Sequence, residues 1–125
     1  EKLIPLMIQK ALRDELLPVY GDGLNVRDWI HVLDHCRGID VILQKGVPGE
    51  VYNIGANEEV ANIELVKRIL DCVGKSYGLI IYVDDRLGHD RRYAINSEKL
   101  QTLGWKPEYT LGDALGDVVE WYRWN

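Results

Sequence analysis

The sequence predicts a mixed α/β fold in a single domain. Three observations carry that expectation. Short apolar or alternating runs of strand length recur along the chain, segments with apolar residues at helical spacing alternate with them, and glycine or proline turns punctuate the change from one period to the other. At 125 residues the chain is one domain's worth, long enough to bury a core and short for a complete two-domain enzyme.

The elements follow in order. Leu3, Ile4, Met7, Ile8, Ala11 and Leu12 fall at helical spacing, with Pro5 tolerable only in a first turn, so the opening residues read as a short amphipathic helix. "LLPVYGDG" reads as a strand ended by a turn at Gly21 to Gly23, and the alternation and β-branching of "NVRDWIHV" predict a second extended segment. From Asp34 a helix is expected with Val32, Cys36, Ile39 and Leu43 on one face, Val41 and Ile42 widening the stripe and Gly46 stopping it. Such a face predicts burial against a sheet. "EVYNIGA" reads as a compact apolar strand after a "KGVPGE" turn. Asn62 is placed to cap a helix carrying Ile63, Val66, Ile69, Leu70 and Val73. "LIIYV", residues 79 to 83, is a fully apolar strand; Ser97 to Leu103 suggests a helical turn and "GWKPEY" a loop. Thr110 with Asp113 approximates a capping box for a last helix striped by Leu111, Leu115, Val118 and Tyr122. There are no internal repeats or low-complexity linkers.

Composition narrows function. The formal net charge of −5 argues against general nucleic-acid binding, which needs a basic surface to displace counterions from phosphates. No apolar run of about 18 residues is present to span a bilayer, so no membrane partner is expected, and there is no basic-then-apolar signal peptide. Cys36 and Cys72 lack CxxC spacing and read as reduced core thiols, which favours a cytoplasmic location. The chain starts abruptly inside a helical pattern without an initiator Met, as though it continued a longer polypeptide.

Against that acidic background stands a dense basic knot, "DRLGHDRRYAIN", residues 85 to 96, emerging from the end of the strand at 79 to 83, where α/β folds place ligand contacts. Arginine's planar fork donates paired hydrogen bonds to phosphate oxygens, so Arg27 and Arg86 together suit a diphosphate, each near a turn glycine. The alternative is a surface network in which Arg86, Arg91 and Arg92 pair with Asp84, Asp85 and Asp90; such exposed pairs contribute ~0–1 kcal/mol each. His89 suits a phosphate or sugar oxygen equally with a loop carbonyl. Tyr20 offers a ring face to a base or simply packs. Asn53, inside an apolar strand, needs amide partners from neighbouring backbone or from a site. His31 and His35 have the spacing of two helical zinc ligands but lack a third ligand and a catalytic Glu, so no metal is expected.

In this order and spacing, "EKLIPL", "LPVYGDGLNVRDWIHVLDHCRGID", "GEVYNIGANEE", "DRLGHDRRYAIN", "LGWKP" and "VVEWYRWN" resemble the C-terminal part of the dTDP-glucose 4,6-dehydratases, a family of the extended short-chain dehydrogenase/reductases. The match runs over essentially the whole chain. "RDWIHVLDH" recurs in related epimerases and decarboxylases, whereas "GHDRRYAI" is more particular to the dehydratases. The resemblance implies the C-terminal substrate-binding portion of an extended short-chain dehydrogenase/reductase over residues 1 to 125, with elements that normally complete a Rossmann sheet. It also implies a nucleotide-sugar substrate, NAD held by an N-terminal Rossmann domain absent here, and a homodimer as the full-length state. Carried over by position, Lys2 and Leu3 would line the nucleotide-sugar site. Pro18, Val19 and Tyr20 would embrace the pyrimidine base, Arg27 and Arg86 would clamp the diphosphate, and Asn53 would contact the nucleotide portion. Asp85, Gly88 and His89 would complete the loop around the phosphates and sugar.

One departure is visible: the family usually has proline where this chain has Leu87, which leaves the loop less fixed without ligand. No GxxGxxG and no YxxxK occur in these residues, so no catalytic residue is expected within the segment. In the intact enzyme the resemblance implies oxidation at sugar C4 by NAD, loss of water across C5 and C6, and return of hydride to C6. Part of the apolar surface then expects partners from elsewhere, and the segment alone is expected to be inactive and to self-associate. Rival readings are a UDP-sugar epimerase or decarboxylase and a non-catalytic nucleotide-sugar-binding module.

Overall fold

The computed structural model describes residues 2–125. Helix α1 (Leu3–Leu12) carries Pro5 in its first turn, as its missing N–H requires. Strand β1 (Leu17–Tyr20) ends at Gly21, whose φ of +59° lets the chain turn sharply toward β2 (Val26–Asp28). Helix α2 (Val32–Lys45) follows, then a long irregular stretch, β3 (Glu59–Ala61), α3 (Asn62–Val73), a single 3-10 turn (Tyr77–Leu79) and β4 (Ile80–Val83). The one-turn helix α4 (Glu98–Gln101) and α5 (Leu111–Trp124) complete the chain.

The strands form two small sheets. β1 and β4 run parallel with Leu17 opposite Ile80 and Tyr20 opposite Val83, so both open at their carboxyl ends on the same side. β2 and β3 pair antiparallel, Arg27 opposite Val60. The core lies where α1, α3 and α5 meet β1: Ile8, Leu17, Leu65, Ile69 and Leu70 are wholly buried there, closed by Leu115 and Val119 of α5. The α/β class expected from the sequence is the class found. Thr110 accepts a hydrogen bond from the backbone N–H of Asp113, the N-terminal cap expected for α5.

Several expectations are corrected. "EVYNIGA" is not a strand. The backbone N–H groups of Ala56 and Glu58 donate to the Asp28 carboxylate at 3.0 and 2.8 Å, with Asn57 in the left-handed region between them, and this turn bends the segment out of extended geometry. Asn53 is accordingly exposed and not enclosed in a strand. The segment "NVRDWIHV" is extended only over Val26–Asp28: His31 caps α2 by accepting from Leu33 N–H through Nδ1, and the helix begins at Val32. Asn62 is the first residue of α3 and makes no capping bond.

The apolar stripe of α2 is not covered. Val32, Ile39 and Leu43 face outward, and the buried residues of the helix are Asp34 and Gly38. The physical cause is the company on the other side. The Asp34 carboxylate accepts from the N–H groups of Glu108 and Tyr109 and pairs with Arg37, while a Cβ on Gly38 would lie 3.0 Å from the Ile54 side chain. Cys36 lies on the outward side of α2 and Cys72 on that of α3, so both are exposed and neither is a core thiol.

Candidate functional site

A cleft of about 790 Å3 opens at the carboxyl ends of β1 and β4, bounded by the start of α1, by β2 and by the loop after β4. Each wall has a local origin. The first turn of α1 brings Lys2 and Leu3, β1 brings Pro18, Val19 and Tyr20, β2 brings Arg27, Asp28 and Trp29, the loop brings Arg86 and His89, and α3 contributes Asn62. Of the residues expected at a ligand site, Lys2, Leu3, Pro18, Val19, Tyr20, Arg27, Arg86 and His89 are thus brought together. Asp85 stands behind this wall with Oδ1 2.6 Å from Nδ1 of His89, and Gly88 makes the turn between Arg86 and His89 at φ +68°. Asn53 is not among the residues lining the cleft.

The charges in the cleft are unevenly compensated. The Arg27 guanidinium donates to the carbonyl oxygens of Val26 (2.8 Å) and Asp90 (2.9 Å) and lies 4.3 Å over the Tyr93 ring, contacts that orient it, and no carboxylate among the described residues neutralises it. Among the described residues, the Arg86 side chain has no ion pair. The one acid among the described wall residues, Asp28, has its carboxylate engaged by the N–H groups of residues 56 to 58. The cleft of this acidic chain is therefore cationic, with Tyr20 and the 4%-exposed His89 ring meeting edge to face at 5.9 Å beside it.

The rest of the basic knot is structural, with partners other than those expected. Arg91 forms a two-point pair with Asp22 (2.8 and 3.0 Å), and Arg92 pairs with Glu59 at 2.6 Å. The hydrogen bond from Arg91, more than any other contact, holds the Asp22 carboxyl down at about 2. Asp90 accepts from the Tyr93 hydroxyl and pushes that phenol up, and Asp85 serves His89. Backbone bonds from Val26 N–H to Arg91 O (2.8 Å) and from Tyr93 N–H to Val26 O (2.9 Å) fasten the loop along β2, so the Arg27 and Arg86 walls are held in one frame.

No cluster of three or more His, Cys, Asp or Glu suited to a metal occurs among the described residues; His31 spends its Nδ1 on capping and stacks on Tyr109 at 4.0 Å. Three of the wall residues named above, Asp28, Trp29 and Asn62, were not anticipated. Trp29 is fixed by its indole N–H to Val60 O at 3.1 Å, and the sequence suggests only a capping role for Asn62. Neither a tryptophan after an Arg-Asp pair nor an asparagine before a helical stripe carries a sequence signal for a cleft.

The model of the GDP-mannose 4,6 dehydratase family matches residues 1–118. A dTDP-glucose 4,6-dehydratase of Xanthomonas campestris is 51% identical, the match covering 100% of this chain and 38% of that protein. The crystal structure of dTDP-glucose 4,6-dehydratase from Bacillus anthracis in complex with NAD superposes with a TM-score of 0.94 at 56% identity, covering 99% of this chain and 40% of that one. DesIV, a dTDP-glucose 4,6-dehydratase from Streptomyces venezuelae solved with NAD and TYD bound, gives 0.96 at 45% identity, covering 99% and 39%. The chain thus spans about two fifths of the length of the relatives it matches. The kinship expected from the sequence motifs holds, and the chain belongs to the GDP-mannose 4,6 dehydratase family.

Proposed function

We propose that these residues form the nucleotide-sugar-binding part of an NAD-dependent dTDP-glucose 4,6-dehydratase, a lyase that converts dTDP-glucose to dTDP-4-keto-6-deoxyglucose. The observation that carries this reading is the pairing of Arg27 and Arg86, neither neutralised by a carboxylate among the described residues, with an apolar and aromatic wall of base size at Pro18–Tyr20 in one cleft. A diphosphate supplies the missing negative charge, and the wall accepts a planar pyrimidine. Holding the nucleotide at a distance from the reacting sugar orients that sugar, which is how remote contacts serve catalysis.

These residues do not fit NAD. The glycine turn after β1 leads into β2 and not into a helix, so no N–H-lined phosphate loop opens on a helix N-terminus here. The cofactor belongs, in this proposal, to an N-terminal Rossmann domain of a longer polypeptide, which also supplies the acid/base residues and the contacts of a homodimer. A cytoplasmic setting suits this biosynthetic role, and no helix among the described residues is long and apolar enough to cross a membrane.

The test is calorimetric titration of the full-length protein with dTDP, dTDP-glucose and UDP-glucose. The thymidine ligands should bind more tightly, and Arg27→Ala or Arg86→Ala should weaken all of them, by about 2–5 kcal/mol for a truncated buried charge partner. Titration curves that coincide for wild type and both variants would overturn the clamp.

A further inference from the structure

Tyr93 is a large aromatic residue with no place in the core. It is 54% exposed and lies outside the buried cluster, yet three contacts fix it. Its backbone N–H donates to Val26 O at 2.9 Å, its ring lies 4.3 Å from the Arg27 guanidinium, and its hydroxyl donates to Oδ2 of Asp90. Burial of apolar surface accounts for little of this arrangement; what the side chain touches is a cleft cation and an acid beside it.

The two carbonyls that grip Arg27 are themselves tied down. Val26 O accepts from Nη1 at 2.8 Å and also from the Tyr93 N–H, and Asp90 O accepts from Nη2 at 2.9 Å and also from Nδ2 of the buried Asn25 at 3.1 Å. These bonds use two of the five N–H donors of the guanidinium, and Arg27 makes no other among the described residues. With one face of the plane resting on the Tyr93 ring, the unused donors are held in a fixed frame at the cleft wall.

Asp90 is the threat to that frame. Its carbonyl touches the guanidinium, so its carboxylate is within a side chain's reach of the same cation, and a carboxylate drawn onto Arg27 would compete with a phosphate for the same donors. Its Oδ2 instead accepts from the Tyr93 hydroxyl, and that bond pushes the phenol up, which keeps it a donor at neutral pH.

We propose that Tyr93 is a positioning residue for Arg27: its ring supports the guanidinium and its hydroxyl holds the Asp90 carboxylate away, so that the cation stays free for the diphosphate of the ligand. The proposal rests on the nucleotide-binding reading above and adds to it the residue that keeps one of its two arginines unneutralised.

The experiment titrates the full-length protein calorimetrically with thymidine diphosphate and with thymidine, which carries no phosphate. Tyr93→Leu, which lacks ring and hydroxyl, should raise the Kd for thymidine diphosphate about tenfold and leave that for thymidine unchanged. Tyr93→Phe keeps the ring and should raise the Kd for thymidine diphosphate about threefold, whereas the same substitution in an Asp90→Asn background should cost nothing, because no carboxylate is left to be released. A merely structural role would move neither the preference for the phosphorylated ligand nor the coupling to Asp90. If the leucine variant does not fold, the phenylalanine cycle, which removes a single oxygen atom, carries the test. Equal losses for thymidine and thymidine diphosphate, or a loss in Tyr93→Phe that persists undiminished beside Asn at position 90, would overturn the proposal. Failure of the wild type to bind thymidine diphosphate would overturn the underlying reading with it, whereas wild-type binding fully retained by both variants overturns the proposal alone.

Discussion

Asp85 and His89 act as one unit. A single carboxylate oxygen, Oδ1 of Asp85, lies 2.6 Å from Nδ1 of His89 and also accepts the backbone N–H of Arg86 at 2.9 Å. The same acid therefore orients the imidazole and anchors the residue whose guanidinium lines the cleft. Asp85→Ala should weaken binding of thymidine diphosphate about tenfold, as loss of two aligned contacts in an ordered loop would. Because the loss also leaves Nδ1 of the 4%-exposed His89 ring without its partner, the melting temperature should fall as well, by the equivalent of about 1 kcal/mol. Isothermal titration of the full-length variant, beside its thermal melt, separates the two effects.

Asp34 presents the opposite case, a carboxylate with a structural task. It is wholly buried, and burial, the largest influence on it, opposes ionisation. The N–H groups of Glu108 (2.9 Å) and Tyr109 (3.0 Å) together with the Arg37 guanidinium outweigh that penalty and hold its pKa below the ordinary 3.8. It thus fastens α2 to the loop ahead of α5. Asp34→Ala leaves two backbone donors without their acceptor and should cost about 3 kcal/mol, a drop on the order of 10 °C in melting temperature. The contribution is present above the ordinary carboxylate pKa and fades as pH falls through the depressed value, so wild type and variant should converge in stability at low pH.

How much of this was legible in the sequence depends on how local the cause is. The Thr110–Asp113 cap was readable because both partners lie within one turn. The stripe of Val32, Ile39 and Leu43 was readable as a stripe, but periodicity reports which face is apolar and not what covers it. The irregular path of residues 51 to 58 was not readable, since its turn is organised by Asp28, far away in sequence. Likewise the acids that neutralise Arg91 and Arg92 are Asp22 and Glu59, not the adjacent aspartates. Of the cleft, Arg27, Arg86 and Tyr20 were reachable from their chemistry and the family motifs, whereas Asn62 became visible only through its place in the folded cleft wall.

The Asp22–Arg91 pair yields a prediction in pH. With the Asp22 carboxyl held at about 2, below an ordinary 3.8, its interaction is fully present above the ordinary value and is lost as pH falls through the lower one. In Arg91→Ala the principal cause disappears, although the Leu24 N–H still donates to Asp22 Oδ1 at 2.9 Å. The titration midpoint of Asp22 should therefore rise from about 2 toward, but not fully to, 3.8. Carboxyl-detected NMR on both proteins checks this; an unmoved midpoint would mean that the pair does not persist in solution.

Leu87 offers the clearest gain by substitution. His89 N–H donates to Arg86 O at 3.3 Å, and Gly88 takes a φ of +68° while Leu87 is not among the positive-φ residues, so Arg86 to His89 form a turn of type II pattern with Leu87 at its second position. That is the position proline favours. The Leu87 side chain is fully exposed, and its backbone N–H makes no hydrogen bond within the described residues, so proline would remove neither packing nor a bond. Fewer loop conformations would then have to be given up on binding. Leu87→Pro should tighten binding of thymidine diphosphate roughly two- to fivefold, the equivalent of ~0.4–1 kcal/mol of conformational entropy. The gain should appear chiefly as a less unfavourable binding entropy in calorimetry, with the contacts of Arg86 and His89 retained. Weaker binding by the proline variant would show that the loop must change its turn geometry to receive the ligand.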